Sequence, residues 1–248
     1  RVLLQDSTTL SLPQCLSAHY PGNVSHGEQK AVARLQCLIN IKTMRWLNME
    51  LQPFTCNDQS ASATVLPVLK KGDLLIRDLG YFVLDVFKKI EQQQAFYISR
   101  LRYGVTLYDT KGRIIDWKQL CRQKGITDQV VFAGAKQKLK LRIIMVPLPE
   151  AQAAEKIRKA RADRDARVNH SKDYYVWLRY NVFITNVSTN TLSAEQIAQV
   201  YKVRWQIEIV FKSWKTGMHL QKILHQKCTN IHRVQTSIYL VLMFFCLI

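Results

Sequence analysis

Residues 201–215, YKVRWQIEIVFKSWK, constrain this chain more than any other stretch. One carboxylate, Glu208, sits there among cationic and aromatic side chains at helical spacing. Wound at about 100° per residue, Tyr201, Arg204, Glu208 and Lys215 fall within an arc of roughly 60°, with Lys212 at its edge. Val203, Ile207, Val210 and Trp214 form an apolar stripe on the other side. The pattern predicts one helix that packs on a sheet by its apolar face and presents a carboxylate flanked by cations on the next. Such a face suits chemistry on a phosphate backbone, the carboxylate holding a metal ion and the cations holding the polyanion.

The charge balance agrees with a polyanionic partner. Lys and Arg number 36 against 18 Asp and Glu, a formal net charge of +18, which favours nucleic acid or an anionic surface and says nothing of fold. The excess is uneven: residues 199–233 hold seven Lys or Arg against Glu208 alone, and residues 136–172 hold eleven against four acids. The six cysteines, Cys15, Cys37, Cys56, Cys121, Cys228 and Cys246, show no C-x-x-C pair, so a reducing cytoplasm is expected. The apolar residues 238–248 make only half of the roughly 20 residues a membrane span needs and read as a buried helix. The six histidines stand at no metal-ligand spacing with Cys or carboxylate. A G-x-S-x-G elbow and a phosphate-binding Gly-rich loop are both missing, which removes the serine-hydrolase and P-loop readings.

Alternation at period two predicts strands over residues 1–9, 35–41, 46–54, 73–78 and 96–102, with residues 60–69 helical and residues 81–93 an amphipathic helix. Residues 103–149 carry β patterns with turns at Lys111-Gly112 and Gly134, followed by a charged helix to about Arg167 and a strand over residues 174–185. Ser193 is the expected N-cap of the last major helix, with Gln196 at the capping-box position. Two aspartates occupy equivalent places, each ending a short strand. Asp6 shares a face with Val2 and Leu4, and Asp78 shares one with Leu74 and Ile76. A carboxylate on the buried side of a strand is costly unless it is paired or binds a cation. Two of them beside a helical glutamate make a metal site the better account; Asp85, Asp109 and Asp116, in helix or turn contexts, read as solvated surface. Magnesium or manganese favours such all-oxygen ligation, and two ions about 4 Å apart suit phosphodiester chemistry.

The spacing Tyr201, Arg204, Glu208, Lys215 resembles the Y-x2-R-x3-E-x6-K signature of bacterial insertion-sequence transposases of the IS-four type, within the RNase H-like DDE superfamily. LLQDSTTL resembles that family's first catalytic strand and LLIRDLGYF its second. The resemblance implies an α/β fold, an RNase H-like mixed sheet flanked by helices, with a β-rich insertion before the glutamate helix. Its expected divisions are residues 1–102, 103–185 and 186–248. It implies that Asp6, Asp78 and Glu208 are the catalytic, metal-binding triad for two ions, and that Tyr201, Arg204, Lys212 and Lys215 hold DNA. In a relative an aromatic residue of the insertion stacks on a flipped base, a role open to Trp177 or Tyr180, each of which reads more readily as a core or sheet-face residue; Trp205 either meets DNA or packs, packing being the expected reading.

The function implied is a DNA transposase that hydrolyses phosphodiesters at element ends with a divalent metal and transfers the strand. The alternatives are a metal-dependent nuclease without joining and an inactive DNA-binding remnant. The partners implied are double-stranded DNA and, for the full-length protein, a second copy in a homodimer, in the bacterial cytoplasm and with no membrane. The chain opens on Arg1 inside an apolar run and reads as a catalytic-domain fragment without the family's end-recognition and dimerisation segments.

Overall fold

The computed structural model describes residues 1–121, 125–136, 138–163, 171–217, 219–220 and 230–247. His170, His225 and Cys228 lie outside them. The chain forms two compact units, Arg1–Tyr81 with Val203–Ile248, and Phe82–Lys202.

The first unit is built on β1 (Val2–Ser11), whose Leu3 and Leu4 are both fully buried, the mark of a strand covered on both faces. It pairs antiparallel with β3 (Glu28–Asn40) and parallel with β5 (Leu74–Arg77). β2 (Pro21–Ser25) and β4 (Arg45–Pro53) both join β3 antiparallel, giving a mixed sheet. The β2–β3 hairpin turns through His26 and Gly27, both at positive φ, so a His-Gly pair does here what Asn-Gly does more often. That substitution hid β2 from the sequence reading and left the start of β3 unseen. The expected helix over residues 60–69 is only a 3-10 segment, Ser60–Val65; Leu66 keeps helical backbone, but Pro67 has no amide to donate, so the helical ladder is interrupted there.

Helix 201–215 is not continuous. One helix of the second unit ends at Lys202, Val203 and Arg204 form a turn closed by i to i+3 bonds, and a new helix runs Trp205–Lys212. A π-type turn, Ser213–Gly217, follows it. The apolar stripe still meets the sheet: Ile207 and Val210 face Leu4 and Ile39, and Trp214 packs on Trp46 with ring centres 5.1 Å apart. The C-terminal helix, Ile231–Leu247, buries Ile238 and Leu242. Among the described residues no helix is long and apolar enough to cross a membrane.

The second unit holds an antiparallel sheet of β6 (Phe96–Arg100), β10 (Tyr180–Thr185), β9 (Leu139–Pro147), β8 (Thr127–Ala133) and β7 (Leu107–Tyr108), in that order. Its helices are α1 (Leu84–Gln92), α2 (Trp117–Cys121), α3 (Glu150–Ala162), α4 (Lys172–Trp177) and α5 (Ala194–Lys202). Among the described residues, the first unit contributes the helices α6 (Trp205–Lys212) and α7 (Ile231–Leu247). Gly112 and Gly134 both stand at positive φ at the expected turns. The charged helix is α3; residues 164–170 lie outside the described set.

The strand expected over residues 174–185 is half wrong. Its first half is α4, where the Ser171 hydroxyl accepts from the Tyr174 amide and Asp173 occupies the first turn. Aromatic and β-branched residues read as strand there, and a four-residue capping signal outweighs them. The capping box on α5 is formed on both sides: Ser193 N donates to Gln196 Oε1 at 2.8 Å, and Gln196 N to Ser193 Oγ at 3.3 Å. Replacing Ser193 with Ala is expected to cost about 1 kcal/mol in chemical denaturation and to speed amide exchange in the first turn of α5.

Candidate active site

The parallel register of β1 and β5 pairs Val2 with Leu74 and Leu4 with Ile76, so one further step sets Asp6 beside Asp78. Asp6 lies in the middle of β1, opposite Cys37, rather than at a strand end; Asp78 does follow the last residue of β5. The α6 helix lies over the same sheet face and brings Glu208 from its first turn. Asp6, Asp78 and Glu208 thus line one cleft of about 420 Å³, together with Ser7, Thr8, Arg204, Phe211, Lys212, Lys215 and Thr216.

Arg204 sits among the three acids. Its Nη1 lies 3.0 Å from Asp6 Oδ2 and 2.6 Å from Glu208 Oε1, and its Nε lies 3.8 Å from Asp78 Oδ1. Its side chain is 10 % exposed, where the sequence reading had it as a solvated phosphate clamp. Arg204 keeps helical backbone and shares a face with Glu208 four residues on; the difference is that this face lies against Asp6, which buries the guanidinium among the acids. Asp6 also accepts the Ser7 amide at 2.8 Å. Burial outweighs these favourable contacts and, with Asp78 and Glu208 nearby, pushes the Asp6 carboxyl up to about 6.

Lys212 is exposed at the cleft rim, and Lys215 is half-buried with its pKa lowered by desolvation. The π-type turn, with more residues per turn than an α-helix, lets Trp214 face the core while Lys215 lines the cleft. Tyr201 departs from the expected arc: it belongs to α5, is buried, and its ring packs 5.0 Å from that of Phe183. Trp177 is buried edge-on to Trp117 at 4.4 Å, and the Tyr180 hydroxyl donates to the Cys121 carbonyl at 2.7 Å. Trp205, expected to pack, is 60 % exposed. Asp85 and Asp116 are exposed, and Asp109 closes its turn by pairing with Arg113. Ser7, which meets Asp6 through its backbone amide, and the small polar residues Thr8 and Thr216 carry no periodic signal in the sequence.

The donor set is all oxygen, the chemistry that hard divalent cations prefer, and three acids share one cleft. As the side chains stand, Arg204 bridges them. Among the described residues no group of three or more His, Cys, Asp or Glu is arranged about a common metal position.

The model of the family described as "Transposase DDE domain" matches residues 1–247. The chain belongs to that family. This DDE domain is 29 % identical over 269 residues to the transposase for insertion sequence element IS231F of Bacillus thuringiensis subsp. israelensis, covering 99 % of this chain and 56 % of the relative. It is 25 % identical over 260 residues to the transposase for IS1151 of Clostridium perfringens, covering 96 % and 54 %. The DDE domain therefore spans about half the length of the curated relatives it matches. Among solved structures it resembles a piggyBac transposase, determined by cryo-electron microscopy as a synaptic complex with hairpin DNA. The TM-score is 0.56 at 8 % identity, over 99 % of this chain and 46 % of that one. The expected fold class, an RNase H-like mixed sheet flanked by helices, is the fold of this DDE domain.

The raised Asp6 carboxyl gives a pH test in metal-free buffer. An acid whose folded pKa lies above its unfolded value favours the fold below about pH 4, and that contribution is lost as pH rises through about 6. Asp6→Asn lacks this titration. Its unfolding free energy relative to wild type should climb between pH 4 and pH 6 by up to about 3 kcal/mol, two pK units' worth. A pH-independent difference in denaturant titrations would show that Asp6 is not held in a desolvated site.

Proposed function

We propose that this domain hydrolyses and rejoins DNA phosphodiesters at the ends of a mobile element. The observation that carries the reading is the convergence of Asp6, Asp78 and Glu208 on one cleft with Lys212 and Lys215 at its side. In this reading the three carboxylates hold divalent cations, magnesium or manganese, two in number. Bound there, the cations would supply activation of a hydroxyl nucleophile and stabilisation of the leaving oxygen.

The chain's own residues account for the rest. Lys212 and Lys215 take phosphate oxygens along the cleft and orient the backbone for in-line attack. In the first reaction a water oxygen bonds to phosphorus and the P–O3′ bond breaks, leaving a 3′ hydroxyl and a 5′ phosphate. In the second that 3′ hydroxyl bonds to a target phosphorus and displaces the target's own 3′ oxygen, so the bond count is unchanged. Arg204, bonded to Asp6 and Glu208, would keep the carboxylates from repelling one another before the cations enter. The relatives are transposases for insertion sequences, which supports the same substrate class. Within the second unit, residues 103–185, with β7 to β10, would make up the family's β-rich insertion.

Glu208→Gln keeps the shape and removes one ligand charge. With magnesium and duplex DNA carrying the terminal sequence of its own element, nicking should fall about a hundredfold or more, while DNA affinity stays within about twofold. Equal loss of both would assign Glu208 a structural role instead. Products that are cut but never joined would identify a nuclease, and binding without any nicking a DNA-binding remnant.

The lysines are read separately. Lys212→Ala and Lys215→Ala should each lower the slope of log affinity against log salt by about one unit per lost phosphate contact. An unchanged slope would remove them from the DNA path.

A further inference from the structure

Asp58 lies outside the cleft, on the opposite face of the sheet from Asp6. Its Oδ1 accepts the Ser7 hydroxyl at 2.6 Å, Arg34 Nη1 at 3.2 Å and Gln36 Nε2 at 3.3 Å. The register that pairs Ser7 with Gln36 and Thr9 with Arg34 puts these donors on one face, while Asp6 and Cys37 take the other. Ser7 is the residue whose amide holds Asp6 Oδ1 at 2.8 Å. The other oxygen of Asp58 lies against Gly80, two residues past Asp78, where an added Cβ would come within 2.8 Å of Oδ2. The Asp78–Tyr81 turn is closed there by the Tyr81 amide on the Asp78 carbonyl. One carboxylate therefore touches the residue after Asp6 with one oxygen and the turn after Asp78 with the other.

The segment that carries Asp58 is itself fixed to the strands just before the two aspartates. Gln5 Nε2 donates to the Ala61 carbonyl at 3.4 Å, and Arg77 Nη2 donates to the Ser62 carbonyl at 2.9 Å and hydroxyl at 2.6 Å. Gln5 and Arg77 are register partners on β1 and β5. Asn57 caps the start of the 3-10 segment, its Oδ1 accepting the Ser60 amide at 2.9 Å. Residues 58–62 thus grip Gln5 and Ser7 around Asp6, and Arg77 and Gly80 around Asp78. An ion pair needed only to steady a surface loop has no use for contacts with all four.

We infer that Asp58 is a positioning residue that sets the spacing of Asp6 and Asp78 from behind the sheet. It acts through a hydrogen bond and a close contact, so its shape matters more than its charge. The inference rests on the reading of Asp6 and Asp78 as cation ligands, and the test keeps the two separable.

The probe is Mn2+ binding to the chain, read by the loss of its free-ion electron paramagnetic resonance signal, with a thermal melt on each variant. Asp58→Ala and Ser7→Ala should raise the Mn2+ Kd about tenfold or more, as loss of an outer-shell partner does. Asp58→Asn keeps the acceptor oxygen and the bulk against Gly80, and should stay within about threefold of wild type. Arg34→Gln should lower the melting midpoint and leave the Kd within about twofold. Gly80→Ala should weaken binding in the wild-type background and add nothing in the Asp58→Ala background, the non-additivity of two groups acting through one contact.

Asn as damaging as Ala would reduce the effect to lost negative charge and overturn the inference. A Gly80→Ala effect of the same size in both backgrounds would overturn it as well, as would an Asp58→Ala Kd equal to that of wild type. If the wild-type chain bound no Mn2+, the metal reading and this inference would fall together.

Discussion

The Arg204 guanidinium is the contact on which the candidate site depends. Three carboxylates brought into one cleft repel one another, and the burial of Asp6, 13 % exposed, adds a desolvation cost. Arg204, itself 10 % exposed, offsets both terms by bonding Asp6 and Glu208 and lying close to Asp78. Its planar fork suits several oxygens at once, which a lysine ammonium at the same place would not match. The two facing sides of this unit, β1 and α6, are apolar around Leu4, Ile39, Ile207 and Val210, and their packing brings the charged groups together. Removing the guanidinium alone would leave buried charge without compensation, so fold and site share this contact.

The second constraint is the parallel pairing of β1 with β5. Strands that neighbour in a sheet at fixed register put side chains 72 residues apart within one strand spacing, and Asp6 and Asp78 follow that register. Each aspartate is flanked by a residue that turns to the back of the sheet, where residues 58–62 hold it. The face with Asp6 and Asp78 lines the candidate cleft, and the opposite face holds their neighbours in place.

Charge acts on a different scale. The net +18 spreads over the whole chain and governs encounter with a polyanion, whereas the cleft is nearly balanced, with Arg204, Lys212 and Lys215 against three acids. Long-range attraction and local near-neutrality are compatible, because the first sums charge over the whole surface and the second depends on the few groups within the cleft. The identity shared with insertion-sequence transposases, near 29 % across almost the entire chain, lies on a framework that a piggyBac transposase shares at 8 %. That contrast is expected where a backbone framework is kept while most side chains have only to pack.

The sequence by itself determined the features that local chemistry sets. Period-two alternation marked β1, β3, β4, β5 and β6, the Ser193–Gln196 box marked the start of α5, and the signature spacing with two strand-borne aspartates singled out the acids now found in one cleft. Each of these signals lies within a few residues along the chain. Where two local signals conflicted, as aromatic residues and a Ser171 cap did over α4, the reading went to the wrong one. What only the tertiary structure decided involves partners far apart in sequence. Arg204 reaches Asp6 across 198 residues, Asp58 reaches Ser7 across 51, and a turn at Val203–Arg204 takes Tyr201 into a different unit from Glu208. A helical wheel assumes an unbroken helix and a solvated charged face. Neither holds once packing bends the chain and buries a guanidinium among acids, because the energy of a charge is set by its distance in space and its exposure, and neither is written in spacing along the chain.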